Sequence, residues 1–291
     1  MRSLLFVPGD SEKKQSKALA TGADALILDL EDSVAPTRKP AAREITCAWL
    51  QAAKQTSKRP QLYVRMNALS SPYWQADLEG VMPAGPDGIV LPKPTSGADV
   101  EQLSLTLAAL EDKLGLGHGS TRILPIATEV PISVLQMPSY VGSSTRLIGL
   151  TWGAEDLAAE IGAAANRHPD GTFTTPFRMA RDLTLFTACA AGVVPLDTVF
   201  INFRDPAGLK RESEAAARDG FVGKLAIHPD QVAVINAAFT PTADAIAHAR
   251  AIVKLFEENP GSGALSLNGH MVDIPHLKNA ERVLARATLA A

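Results

Sequence analysis

The chain has 291 residues, of which 46% are hydrophobic and 20% are charged, and its formal net charge is −3. These values are typical of a globular protein with a sizeable core, and they exclude a disordered chain and a strongly basic binder of nucleic acid or anionic membrane. Its two cysteines, Cys47 and Cys189, match neither a disulfide framework nor the spacing of a zinc or redox motif, so we expect a reducing compartment.

The amino-terminal apolar run is too short for a signal peptide, because it breaks at Pro8 and Gly9. No later segment has the length and apolarity of a membrane span. A cytoplasmic protein without membrane or nucleic-acid partners is therefore the expectation.

Apolar runs rich in β-formers, each closed by a polar residue, recur along the chain. They cover residues 3–8, 25–30, 61–66, 88–92, 122–128, 146–152, 197–203 and 223–227. Helical patterns separate them, at residues 11–21, 41–53, 100–114, 175–191 and 209–219. Strands that alternate with helices predict a parallel sheet covered on both faces, and eight of them favour closure into an α/β fold, the (β/α)8 TIM barrel.

Beyond the eighth run, residues 230–237 and 243–258 read as helices, and a Pro/Gly/Ser break follows at 259–263. The remaining segment contains an amphipathic helical pattern at 277–289. We therefore predict a catalytic barrel domain over residues 1–258 and a C-terminal helical lid over residues 259–291.

Charged residues cluster where the predicted strands end, which is the face of a (β/α)8 barrel that carries the active site. They are Asp29, Glu31, Asp32, Arg65, Lys93, Glu129, Glu155, Asp156, Arg204, Asp205 and His228. Acids on neighbouring strands make a hard-cation site plausible, and carboxylate oxygens suit Mg²⁺. Zinc is disfavoured because no Cys/His cluster accompanies them.

Several motifs together resemble the citrate lyase β-subunit-like proteins of the HpcH/HpaI aldolase family, close to the malyl-CoA and citramalyl-CoA lyases. The resemblance runs in order through nearly the whole chain. It rests on residues 2–10, 22–34, 64–67 (Val-Arg-Met-Asn), 91–93 (Leu-Pro-Lys), 151–157 (Thr-Trp-Gly-Ala-Glu-Asp-Leu), 197–205, 223–229 and 269–277.

The resemblance implies a Mg²⁺-dependent enzyme on a (β/α)8 barrel that assembles as a homo-oligomer, either a trimer or a hexamer. By motif, Glu129 and Asp156 would bind the metal, and Glu129 would also face the substrate. Arg65 would contact the substrate carbonyl and the developing enolate. Asp273 would be the catalytic aspartate that a lid brings over the site.

The implied reaction is carbon–carbon cleavage of a 3-hydroxyacyl thioester, of malyl-CoA or citramalyl-CoA type, to acetyl-CoA and a 2-oxo acid through an enolate. Two alternatives stay open: a citrate lyase β subunit that cleaves citryl-ACP or citryl-CoA to oxaloacetate and an acetyl thioester, and a malyl-CoA thioesterase. Also open are the acyl group, CoA against acyl-carrier protein, and whether Asp273 serves its own or a neighbouring subunit.

Other charged residues are candidates for supporting roles. Glu31, Asp32 and Lys93 are candidates for residues that support the metal ligands and orient Arg65 without binding the metal themselves. Arg2 and Lys13, which we expect beside the exit of the first strand, are candidates for binding a CoA phosphate.

Overall fold

A computed structural model describes residues 1–56 and 58–290 of the chain. Short and largely buried strands form its centre. They are β1 (Ser3–Pro8), β2 (Ala25–Asp29), β3 (Gln61–Arg65), β4 (Gly88–Leu91), β5 (Arg122–Pro125), β6 (Gly149–Leu150), β7 (Val194–Asp197) and β8 (Gly223–Ala226). Apolar residues dominate these strands because helices cover the outside of the sheet and side chains fill its inside.

Helices follow or separate the strands along the chain. They are α1 (Glu12–Ala18), α2 (Lys39–Ala53), α3 (Trp74–Val81), α4 (Gly97–Leu114), α5 (Pro131–Leu135), α6 (Ala154–Ile161), α7 (Thr175–Ala190), α8 (Pro206–Asp219), α9 (Pro229–Phe239), α10 (Ala243–Glu258) and α11 (Ile274–Ala290). Their ends follow local chemistry. Ser96 caps α4 by accepting from the Ala98 N–H, and Gly115 ends that helix with a φ of 66°.

The strands lie in the order β5-β4-β3-β2-β1-β8-β7-β6, and each neighbouring pair is parallel. Isolated parallel bridges, Ile123 to Leu147 and Ile126 to Thr151, join β5 to the segment around β6 and so close the row into a ring. The predicted (β/α)8 barrel is confirmed.

The barrel interior is a packed core. Alternate residues of the strands meet in one buried cluster that includes Leu4, Ile27, Tyr63, Leu124 and Leu225. A filled interior of this kind leaves only the strand ends available for a site.

The seventh strand differs from its prediction. It ends at Asp197 instead of beginning there, and residues 198–203 form no strand. The apolar residues of this segment suggested a buried strand, but Ile201 and Phe203 are about half exposed. Asp197 is fully buried and pairs with Lys224, so it belongs to the strand layer.

The chain forms two compact units, Met1–Asn236 and Ala237–Ala291. The predicted boundary after residue 258 therefore differs from the observed one. The reason is that α10 packs with the tail, through a cluster that contains Ile252, Phe256 and Ala280.

The second unit also contains a hairpin that we did not predict, formed by β9 (Ala264–Leu267) and β10 (His270–Asp273). Asn268 and Gly269 connect its strands with φ values of 51° and 82°. Asn-Gly is the preferred pair for such a turn, so the signal was present in the sequence. Within the described residues, no helix is long and apolar enough to cross a membrane.

Candidate active site

A cavity of about 390 Å³ opens in the first unit at the carboxyl ends of the barrel strands. Its lining comes from seven of the strands and from the segments that directly follow them, and β4 is the strand that contributes none of it. The lining residues are Phe6, Pro8, Asp29, Asp32, Ser33, Arg65, Ile126, Glu129, Trp152, Gly153, Ala154, Glu155, Asp156, Thr198, Val199, Leu225 and Ile227. The predicted site residues Arg65, Glu129 and Asp156 thus lie in one cavity.

Arg65 is held by a carboxylate on the neighbouring strand. In the β2–β3 register Arg65 lies opposite Asp29, whose Oδ1 accepts from Arg65 Nε at 2.7 Å and whose Oδ2 accepts from Nη2 at 2.8 Å. Arg65 Nη1 lies 3.0 Å from Glu31 Oε2. Burial opposes the charge, but Asp29 and Glu31 outweigh it and raise the pKa of Arg65. A fixed guanidinium therefore faces the cavity with donor N–H groups left over.

Asp29 has a role that the sequence did not indicate beyond its place at the rim. The backbone N–H groups of Glu31 and Ser33 donate to its two oxygens at 2.9 and 3.0 Å. Burial works against its ionisation, yet Arg65 and these donors lower the pKa of the Asp29 carboxyl. Aspartate and arginine at the matching last positions of β2 and β3 are the signal that would have revealed this clamp.

Glu129 is a buried carboxylate, only 2% exposed. Its Oε2 accepts from the Lys93 backbone N–H at 2.7 Å, and a Cβ on Gly153 would lie 2.6 Å from its Cγ, so that position needs glycine. Burial, with Asp156 and Glu31 nearby, raises the pKa of Glu129 well above its ordinary value. A buried acid surrounded by other acids is a position that a cation stabilises.

Asp156 lies in the first turn of α6, and its side chain is 32% exposed. Lys93 Nζ lies 3.2 Å from Asp156 Oδ1. Glu129 follows β5 and Asp156 follows β6, so the two carboxylates reach the cavity from adjacent positions of the ring.

Lys93 forms ion pairs with the two remaining predicted residues, Glu31 and Asp32. Its Nζ lies 2.6 Å from Glu31 Oε1 and 3.2 Å from Asp32 Oδ2. Burial opposes the charge of Lys93, but Glu31 and the other acids raise its pKa. Burial raises the pKa of Glu31, although Arg65 and Lys93 act in the opposite direction.

Trp152 walls the cavity and is fully buried. Its Nε1 donates to Asp197 Oδ1 at 2.8 Å, and Lys224 Nζ donates to Asp197 Oδ2 at 2.7 Å. Lys224 also contacts Glu212 at 2.9 Å. We did not predict this buried network, because the misplaced seventh strand put Asp197 at the wrong end.

Asp273 lies in the second unit, at the end of β10. Its Oδ1 is 2.5 Å from His276 Nδ1 and accepts from the His276 backbone N–H at 3.4 Å, directly before α11. The hydrogen bond to His276 lowers the pKa of the Asp273 carboxyl.

The placement predicted for Arg2 is wrong. Arg2 precedes β1, at the amino end of the strand and opposite to the cavity, where it pairs with Asp24 at 2.8 Å. Lys13 is exposed on α1, which follows the carboxyl end of β1. Of the two CoA candidates, only Lys13 is on the side of the barrel that carries the cavity.

The HpcH/HpaI aldolase/citrate lyase family model matches residues 2–229 of the chain. The citrate lyase subunit beta of Escherichia coli strain K12 is 36% identical over 291 residues, which cover 99% of this chain and 94% of that protein. The mitochondrial citramalyl-CoA lyase of Mus musculus is 34% identical over 307 residues, with 99% and 86% covered.

One solved structure matches nearly the whole length of the chain. The protein CitE from Mycobacterium tuberculosis, in complex with magnesium, acetoacetate and coenzyme A, superposes with a TM-score of 0.79 at 32% identity, with 99% of this chain and 98% of that chain covered. The family match and these relatives agree with the predicted resemblance, and the chain is an enzyme of the HpcH/HpaI aldolase/citrate lyase family.

Proposed function

We propose that this enzyme is a Mg²⁺-dependent carbon–carbon lyase that cleaves a 3-hydroxyacyl-CoA of malyl or citramalyl type to acetyl-CoA and a 2-oxo acid. The observation that carries the proposal is that Arg65, Glu129 and Asp156 line one cavity at the carboxyl ends of the barrel strands. Named relatives that are lyases, one of them a citramalyl-CoA lyase, support the reaction class.

Glu129 and Asp156 are the residues that would hold the metal, and the donor set fits magnesium. Both supply carboxylate oxygens, and Glu129 is buried among acids that raise its pKa. Among the described residues no group of three or more His, Cys, Asp or Glu is arranged so that it could hold a metal ion. Mg²⁺ keeps waters and takes substrate oxygens, so two carboxylates suffice. When bound, the metal lowers the pKa of the substrate hydroxyl and polarises the oxo-acid carbonyl.

Arg65 supplies fixed positive charge where the enolate forms. During cleavage a solvent water takes the hydroxyl proton, the hydroxyl oxygen forms the carbonyl of the 2-oxo acid, and the bond between C2 and C3 breaks so that its electron pair moves into the thioester enolate. The guanidinium stays in place because Asp29 clamps Nε and Nη2. A preorganised donor of this kind is worth about 3–4 kcal/mol in the transition state.

Asp273 would move the last proton. In cleavage it protonates the enolate carbon to give the acetyl thioester, and in condensation it removes a proton from the methyl group. The hydrogen bond to His276 keeps the carboxyl ionised in its partly exposed setting. Exclusion of water from its surroundings would raise its pKa toward that of a proton donor.

Glu31, Asp32, Lys93 and Lys13 complete the proposed site. The first three would orient Arg65 and the metal acids, since they form one ion-pair network with Arg65 and Asp156. Lys13 is proposed to meet a CoA phosphate. The M. tuberculosis CitE complex with coenzyme A supports CoA as the thioester carrier.

A second candidate function is the citrate lyase β subunit, which would cleave a citryl thioester to oxaloacetate. Citrate lyase β subunits that are 34–36% identical over nearly the whole chain favour it. A functional dependence on added citrate lyase partner subunits would distinguish this candidate from the stand-alone lyase.

The decisive experiment measures acetyl-CoA and 2-oxo-acid release from malyl-, citramalyl-, β-methylmalyl- and citryl-CoA, with Mg²⁺ and with a chelator. We expect Mg²⁺-dependent release from malyl- or citramalyl-CoA, and loss of release in Asp156→Asn. Free CoA and malate without glyoxylate would instead identify a thioesterase. Failure to cleave any of the four substrates would contradict the lyase proposal.

A further inference from the structure

Lys93 has a backbone conformation that lysine rarely adopts. It follows β4, lies between Pro92 and Pro94, and has a φ of 50°. Among the described residues only Lys93 and Asn268 are non-glycine residues with positive φ, and Asn268 occupies a hairpin turn that favours asparagine. A lysine before proline prefers extended backbone, so the surrounding structure must hold Lys93 in this strained state.

The strained backbone brings two parts of Lys93 to the acid cluster. The N–H donates to Glu129 Oε2 at 2.7 Å. The ammonium lies 3.2 Å from Asp156, 3.2 Å from Asp32 and 2.6 Å from Glu31. One residue therefore contacts both proposed metal acids, Glu129 through the main chain and Asp156 through the side chain.

We propose that Lys93 is a positioning residue that sets the affinity of the site for its divalent cation. Its ammonium is the resident counter-cation of the cluster and competes with the metal for Asp156, while its N–H keeps Glu129 in place. The inference rests on the proposed function, in which Glu129 and Asp156 hold the metal. It assigns to this lysine a control over affinity that the lyase reaction does not itself require.

The charges around Lys93 explain why the competition is tolerated. One ammonium is shared by three carboxylates, which would otherwise repel one another in a partly buried cluster. An Asp156 oxygen that serves the ammonium is less available to a second cation, and two cations close together repel. The ammonium still has Glu31 and Asp32 as partners when it gives up Asp156, so the exchange does not leave Lys93 without an acceptor.

The test uses the full chain, stripped with a chelator and titrated with MgCl2 by calorimetry, with thermal unfolding measured in parallel. Lys93→Met removes the ammonium, Lys93→Arg retains the charge, and Lys93→Gly removes the side chain while keeping the N–H and relaxing the φ. We expect Lys93→Met and Lys93→Gly to bind Mg²⁺ about fivefold more tightly than the wild type, the size of effect that one partly exposed ion pair produces. Lys93→Arg should remain close to the wild type.

Stability gives an independent readout. Without metal, Lys93→Met should unfold at a lower temperature than the wild type, because its acids repel one another. Saturating Mg²⁺ should then raise its unfolding temperature by more than it raises that of the wild type. A residue that only braces the fold would lower the unfolding temperature by the same amount with and without Mg²⁺.

Asp156→Asn separates the two proposals. Loss of Mg²⁺ binding in Asp156→Asn supports the metal site, and unchanged or weaker binding in Lys93→Met and Lys93→Gly would then overturn the role of Lys93 alone. Wild-type Mg²⁺ affinity in Asp156→Asn would overturn the metal site itself. If Lys93→Met does not fold, the affinity of Lys93→Gly decides. Failure of both to fold with Mg²⁺ would overturn the proposal, because the ammonium would then be needed irrespective of the cation.

Discussion

Two carboxylates with proposed roles, Glu129 and Asp273, occupy opposite environments. Glu129 follows a barrel strand and is 2% exposed, whereas the Asp273 side chain ends a strand of the tail hairpin and is 32% exposed. Burial and neighbouring acids raise the pKa of Glu129, while the hydrogen bond to His276 lowers the pKa of Asp273. The two acids are therefore prepared for different tasks: one for a cation, the other for a proton.

The difference reflects how each carboxylate is fixed. In the barrel, parallel register and short backbone contacts assemble Asp29, Arg65 and Glu129, so the electrostatic field is set by the fold itself. In the tail, Asp273 is held by its own helix start, through His276. An acid that stays ionised when exposed can become a proton donor only when its surroundings change.

The largest expected effect comes from Asp273→Asn. Asparagine caps a helix as well as aspartate does, so α11 should still begin at the same place, but the amide cannot transfer the proton. We expect turnover to fall by a factor on the order of 10²–10⁴ while Mg²⁺ binding persists. The measurements are acetyl-CoA release and a calorimetric Mg²⁺ titration, with His276→Gln as the matched control that keeps the carboxyl. Near wild-type turnover in Asp273→Asn would contradict the proposal that Asp273 transfers a proton in the reaction.

A smaller loss is expected on the barrel side of the comparison. Arg65→Met removes the donor to the enolate and should lower kcat by roughly 10²–10³-fold. Asp29→Asn keeps the guanidinium but weakens its clamp, so we expect a loss on the order of tenfold to 10²-fold. Steady-state kinetics on the two variants ranks the effects, and a thermal melt of each checks the fold. If Asp29→Asn is as slow as Arg65→Met, the guanidinium stabilises the enolate only when the Asp29 carboxylate holds it in place.

The sequence predicted the barrel because buried parallel strands are nearly continuous apolar runs, and such runs can be recognised from the sequence alone. The bounds of β1 were predicted as observed, and those of β2, β3, β4 and β8 to within one residue. The same property failed at residues 198–203, where an apolar run forms no strand and its first two residues, Thr198 and Val199, line the cavity. Apolar content alone does not distinguish a strand from a partly exposed wall of a cavity.

The sequence predicted which residues belong to the candidate site but not the hydrogen bonds and ion pairs between them. Residues at strand ends mark the right face of a barrel, so Arg65, Glu129 and Asp156 were among the charged residues expected there, and the family resemblance singled them out. The Asp29 clamp, the contacts of Lys93 and the buried Asp197 depend on register and on which face a side chain takes, and single-sequence patterns do not give these. Arg2 was misplaced for the same reason. It was assigned to the site because it is close in sequence to β1, without regard to which end of that strand it lies at.

The buried Glu129 also predicts a pH dependence that Asp273 does not share. Its pKa in the folded, metal-free chain lies above the ordinary 4.5, so the folded state binds more protons than the unfolded state between these values. Stability should therefore decline as pH rises from about 4.5 through the raised pKa. Glu129→Gln should lack this decline, and its advantage in unfolding temperature over the wild type should grow with pH in chelator. Parallel curves for the two proteins would contradict the assigned direction.

The smallest effects are expected from Arg2 and Lys13, the two candidates for binding a CoA phosphate. They test whether substrate binding is confined to the carboxyl ends of the barrel strands. Arg2 pairs with Asp24 at the amino end, so Arg2→Ala should cost roughly 0.2–1 kcal/mol of unfolding free energy and leave the KM for the acyl-CoA unchanged. Lys13→Ala should leave stability unchanged and raise that KM about twofold, as expected for one exposed charge facing a phosphate. Chemical denaturation and initial rates on the pair measure both quantities. A larger KM change in Arg2→Ala than in Lys13→Ala would place the CoA phosphates at the amino end and break the assignment of function to a single face of the barrel.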